Sequence, residues 1–133
     1  MTALEPMTTV HRYIAAFNDG DADAMAACFA DPGSILDGMA PHVWIGTTAA
    51  RDWYRDVLIE GEHHGASGYS LTLGEVQRND LNGGSAYLIF SAELTFDLTG
   101  QHMATPGLFT VVLHNVAGSW KIRAWAWAKG ITG

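Results

Sequence analysis

The amino-acid sequence predicts an α+β fold, with helices closing one side of a bent, mostly antiparallel sheet and a pocket between the layers. Three observations carry this expectation. Apolar residues recur at helical spacing through the first half of the chain and alternate at period two through the second half. The last alternating run sets Trp125 and Trp127 on one face against Ala124, Ala126 and Ala128 on the other. Two indoles on one side of a sheet suit a wide interior space, and such spaces in small domains are lined mainly by aromatic and apolar groups.

The elements follow in order. Residues 1–6 read as a loose arm ending at Pro6, and residues 7–133 as a single domain. Met7, Val10, Ile14 and Phe17 form one helical stripe with Tyr13 beside it, and Thr8 or Thr9 is the expected cap. Asn18-Asp19-Gly20-Asp21 breaks this helix. A second helix is expected over Ala22–Ala30, with Met25, Cys28 and Phe29 inward, stopped by Asp31-Pro32-Gly33. Ser34–Asp37 reads as a short strand, followed by a loop through Pro41 to Gly46. Thr47 or Thr48 caps a third helix to Glu60, with Ala50, Trp53, Tyr54, Val57 and Leu58 on its apolar side and Gly61 as its C-cap.

Four strands complete the chain. Tyr69, Leu71 and Leu73 share a face of the first. Ala86, Leu88, Phe90, Ala92, Leu94 and Phe96 share a face of the second, after a turn at Asn82-Gly83-Gly84. The third runs from Met103 to Val116 and the fourth from Trp120 to Lys129, across a turn at Gly118-Ser119.

Composition narrows the function. The net charge of −7, with basic residues scattered, disfavours nucleic acid and anionic membrane surfaces as partners. No apolar run approaches the ~20 residues that cross a bilayer. The N-terminus has no basic and apolar leader pattern, and the lone Cys28 reads as a buried core thiol, so a reducing, cytoplasmic setting is expected. The six histidines make no metal-ligand pattern, and His63-His64 reads as a solvated turn after the third helix. No cofactor is expected, and no serine or cysteine nucleophile motif is present. Gly74 and Gly83-Gly84 read as bulge and turn residues, not as a phosphate cradle.

Asp37 is the carboxylate best placed for chemistry. It ends a strand beside Gly38, Met39 and Ala40, where partial desolvation suits a general base; an Asp before Gly is also a common turn residue.

His11-Arg12-Tyr13-Ile14, Asn18-Asp19-Gly20-Asp21, Phe29-Ala30-Asp31, Asp37, Gly46 and Trp53-Tyr54-Arg55 together resemble the ketosteroid isomerase branch of the NTF2-like, SnoaL-like superfamily. The resemblance covers nearly the whole chain. It implies a cone-shaped domain, a strongly curved sheet with three helices closing the mouth, and homodimers formed through the sheet. It implies that Asp37 is the base that moves a proton between carbons. Tyr13 falls where a tyrosine donates to the dienolate oxygen, and Tyr54 where a second tyrosine supports the first. Phe17, Ala92, Leu94, Trp125 and Trp127 fall on pocket-lining positions, and Trp53 is counted with them.

One departure stands out. The isomerases place a neutral aspartic acid beside the tyrosine as a second donor, and Phe109 occupies that position here. A phenyl ring donates nothing, and losing one such donor typically costs ~10²–10³ in rate. Thr105 shares a face with Phe109 by alternation and is the expected polar substitute; His102 and His114 face the other way. Three functions therefore stay open: an enzyme abstracting a proton alpha to a carbonyl on an apolar, polycyclic or polyketide-like substrate; a binding module for a small apolar ligand without chemistry; and a dimerisation domain with a solid interior.

Overall fold

A computed structural model describes residues 5–130. The elements are α1 (Pro6–Asp19), α2 (Ala22–Ala27), β1 (Phe29–Leu36), β2 (Val43–Gly46), α3 (Ala49–His64), β3 (Ala66–Asn82), β4 (Ser85–Leu98), β5 (Gln101–Val116) and β6 (Ser119–Lys129). Residues 1–4 of the expected arm lie outside the described residues, and Pro6 opens α1, where its fixed φ suits a first helical turn.

The six strands form one curved, unclosed sheet in the order β2-β1-β6-β5-β4-β3. Every neighbouring pair is antiparallel except β1 and β6, which run parallel. Register shifts bend the long strands, because an extra residue in one strand increases local twist. One shift lies between Leu73 and Val76, taking in Gly74; another falls between Val112 and Leu113, opposite Arg123. Helices α1 and α3 pack on the inner face, α1 against β3 and β6, α3 against β1, β2 and β3. Val10, Met25, Ile35, Leu88, Phe90, Val111, Leu113 and Ile122 are buried between the layers.

Several boundaries differ from the sequence expectation. Helix α2 stops at Ala27, three residues early, because the Cys28 carbonyl accepts a hydrogen bond from the Ile122 N–H and Phe29 joins the sheet opposite Ile122. Residues 43–46 form a strand where a loop was expected; pairing with β1 sets Trp44 opposite Ile35. Helix α3 runs on to His64, so His63 and His64 form its last turn and Gly65, at φ 73°, is the cap. Gly61 serves packing instead: a Cβ there would lie 2.6 Å from the Tyr69 hydroxyl and 2.9 Å from the Ala66 carbonyl. Leu58, expected on the apolar side of α3, is about half exposed. Neither threonine of α1 caps it; the Thr9 hydroxyl donates to the Trp120 carbonyl at 2.8 Å, tying helix to sheet. No helix of the described residues is long and apolar enough to cross a membrane.

Candidate active site

A cavity of about 370 Å³ opens between the inner face of the sheet and helices α1 and α3. Its wall is mainly aromatic and aliphatic: Phe17 from α1, Trp53 from α3, Leu71 and Leu94 from β3 and β4, Phe109 from β5, and Trp125 and Trp127 from β6. The polar groups reaching it are Tyr13, Asp37 and Tyr69, with the exposed Glu60 and Lys129 adding one charge of each sign.

Asp37 is the first residue beyond β1. The parallel ladder sets Ile35 beside Trp125 and Leu36 beside Ala126, so the strand delivers Asp37 to the indole-lined end of β6. Its backbone N–H donates to the His42 carbonyl at 3.1 Å, closing the β1–β2 connection, and Gly38 and Met39 of that loop also face the cavity. One carboxylate oxygen accepts a hydrogen bond from the Trp53 indole at 2.8 Å. The other has no protein donor among the described residues, and Asp37 itself is half-buried.

Tyr13 is 2% exposed. Its hydroxyl oxygen accepts a hydrogen bond from the Trp125 indole at 3.0 Å. Burial pushes the phenol well above its ordinary range, the Trp125 hydrogen bond opposes that shift, and Cys28 and the nearby Asp37 charge add to it. Tyr13 therefore keeps its phenol hydrogen and is not a phenolate. The two indoles that serve this pair meet edge to face, Trp53 on Trp125, with centroids 4.8 Å apart and planes at 89°.

Of the residues singled out in the sequence, the cavity gathers Tyr13, Phe17, Asp37, Trp53, Leu94, Phe109, Trp125 and Trp127. Tyr54, Ala92 and Thr105 are not part of its wall. Successive helical residues point about 100° apart, so Trp53 turns inward while Tyr54 packs edge-on against Phe17, its hydroxyl near Gly20 at the end of α1. Ala92 has no reach beyond its Cβ, and its ladder partner Gly107 is covered by the Trp127 ring. Thr105 does share the inner face with Phe109 and pairs with the wall residue Leu94, but its own side chain does not line the cavity. Phe109 is buried against Trp125 at 5.3 Å, so the wall there offers no donor.

Sequence reasoning missed Tyr69 and Leu71 as wall residues, although their alternation was visible, and Glu60 and Lys129, which gave no signal. It also missed that two indole N–H groups hold the two central polar residues, since side-chain direction is not written in periodicity. Among the described residues no three His, Cys, Asp or Glu side chains converge on a potential metal position.

The fold recurs in solved structures of low identity. A ketosteroid isomerase-like protein from Erwinia carotovora atroseptica superposes with a TM-score of 0.75 at 19% identity, over 95% of this chain and 94% of that one. An NTF2-like superfamily protein from Salmonella enterica gives 0.77 at 17%, over 93% and 87%. A hexachlorocyclohexane dehydrochlorinase from Novosphingobium barchaimii gives 0.78 at 11%, over 92% and 82%. The family model for the SnoaL-like domain matches residues 7–126, and the chain belongs to that family.

Proposed function

We propose that the protein is a cofactor-independent enzyme that removes a proton alpha to a carbonyl on a small, largely apolar substrate. The observation that supports this most is that Asp37 and Tyr13 meet in one aromatic cavity, a carboxylate with a free oxygen beside a phenol that keeps its proton. Asp37 takes the proton, and the C–H electron pair flows into the carbonyl to give an enolate. Tyr13 donates to the enolate oxygen, where charge develops. Returning the proton to another carbon gives an isomer; expelling a leaving group gives an elimination product; attack on a second carbonyl gives a ring. The neighbours named for ketosteroid isomerase and for dehydrochlorination both sit on this fold, and both reactions begin with loss of a C–H proton.

Phe109 favours a second function, a binding module without turnover, because the wall at that position adds no second donor beside Tyr13. Asp37→Asn separates the two. In an ultraviolet assay against β,γ-enones and polyketide-like aromatic ketones, the enzyme loses about three orders of magnitude in turnover while its affinity changes little. Binding with no turnover in the unaltered protein, indifferent to Asp37→Asn, selects the module.

The same proposal includes a homodimer through the outer face of the sheet, in a cytoplasmic setting suited to the unpaired Cys28. Leu36, Val43 and Ile45 are 46–71% exposed and lie on the face opposite Ile35 and Trp44. Ile45→Lys shifts sedimentation toward monomer; a wild-type monomer at all concentrations overturns the dimer.

A further inference from the structure

An indole N–H can only donate. In the bond between Trp125 and Tyr13 the phenol oxygen must therefore accept, and the phenol's own hydrogen is left for another partner. Two hydroxyls facing each other would leave this direction open, because either can donate. Tyr13 lines the cavity, and among the described residues no acceptor takes its hydrogen. Trp125 is itself fixed. It sits inside the sheet between Val111 of β5 and Ile35 of β1, is 4% exposed, and packs against Trp53 and Phe109. Tyr54, the residue that the family resemblance assigns to supporting Tyr13, has its hydroxyl near Gly20, seven residues along α1 from Tyr13.

We propose that Trp125, in place of Tyr54, is the positioning residue for Tyr13: its indole occupies one side of the phenol oxygen and turns the phenol hydrogen into the cavity. This rests on the proposed role of Tyr13 as the cavity's donor, and it gives the wall residue Trp125 a further part that acts through Tyr13. The consequence is selectivity. The site prefers a flat apolar ligand bearing an acceptor oxygen over the same skeleton without one, and the preference requires both members of the pair.

The test uses 9-fluorenone and fluorene, which share a tricyclic skeleton and differ by one carbonyl. The ratio of their dissociation constants is measured for wild type, Tyr13→Phe, Trp125→Phe and Tyr54→Phe. Wild type favours the ketone about tenfold, the worth of one neutral hydrogen bond. Tyr13→Phe removes the preference, Trp125→Phe cuts it to within about threefold, and Tyr54→Phe keeps it. A full preference in Trp125→Phe, alongside its loss in Tyr13→Phe, overturns the role of Trp125 and leaves Tyr13 as donor. A preference untouched by Tyr13→Phe overturns both. If Trp125→Phe does not fold, or if neither ligand binds, the ¹⁵N-correlated indole resonance of Trp125 decides. It moves in Tyr13→Phe and stays in Tyr54→Phe; a resonance unmoved in Tyr13→Phe overturns the proposal.

Discussion

Asn18 pairs with the backbone of Leu71 through both ends of its amide. Its Nδ2 donates to the Leu71 carbonyl at 3.0 Å, and its Oδ1 accepts from the Leu71 N–H at 2.7 Å. Leu71 lies on β3, one of the two edge strands, so a side chain from the end of α1 takes the place of a missing neighbour strand. The same contact sets the Phe17 end of α1 over the Leu71 wall of the cavity. Asn18→Ala removes two hydrogen bonds and leaves a half-shielded amide unpaired. The expected loss is about 2 kcal/mol, or about 6–10 °C in melting temperature for a chain of this size. Thermal unfolding checks it, and a change under 1 °C contradicts the role given to this contact.

Trp53→Phe keeps an aromatic ring against Trp125 but deletes the N–H that holds Asp37. Hydrogen bonds to charged groups are strong, but Asp37 is half-buried and water replaces part of the donor. The expected cost is about 1 kcal/mol in denaturant unfolding. Under the proposed reaction, kcat falls about tenfold with KM within about threefold, because a base free to rotate is less often aligned with the C–H bond. Loss confined to KM would assign Trp53 to the wall alone.

The sheet and helices were legible in the sequence because burial on one face writes its own period. The run from Ala86 to Phe96 shows period two, and the stripe Val10, Ile14, Phe17 shows the helical one. What periodicity hides is competition between local and distant partners. The neighbours of Phe29 predict a helix, but Ile122, 93 residues on, pulls it into the sheet. The position of Gly61 predicts a cap, but the close approach of Tyr69 explains it. The site divides in the same way. Resemblance singles out Asp37 and Tyr13, which line the cavity, whereas the indole donors that hold them depend on side-chain direction across the fold. Tyr54 illustrates the limit, since one helical step separates it from Trp53 and turns it out of the wall.

Tyr13 makes stability depend on alkaline pH, with a definite sign. Burial, with a smaller contribution from the Asp37 charge, raises the native phenol above the ordinary value of 10.0, more than the Trp125 hydrogen bond lowers it. The native state thus holds this proton more tightly than the unfolded chain does. Its contribution to stability is complete below pH 10 and is lost as pH rises above that value, where the unfolded chain ionises first. A native-state absorbance titration is expected to leave Tyr13 un-ionised where an exposed tyrosine has titrated, and the unfolding midpoint falls more steeply above pH 10 in wild type than in Tyr13→Phe. Ionisation of all four tyrosines in one step with the fold intact contradicts this.

Gly107 leaves the space in which the Trp127 ring lies. It sits on the inner face of β5, between Ala92 of β4 and Lys129 of β6, and Trp127 pairs with Phe109 one inward position further on. A Cβ at Gly107 would stand 2.5 Å from the Trp127 ring and 2.7 Å from the Ala128 carbonyl oxygen. The ring can swing away, but the carbonyl belongs to the neighbouring strand, so β5 and β6 must part. Overpacking of this kind costs about 1–3 kcal/mol. Because Trp127 is part of the cavity wall, Gly107→Ala is expected to weaken ligand binding beyond its effect on stability. Melting temperature and fluorenone affinity, measured on the same preparation, test the two consequences. A loss of stability with unchanged affinity would show that the strands part without moving the indole.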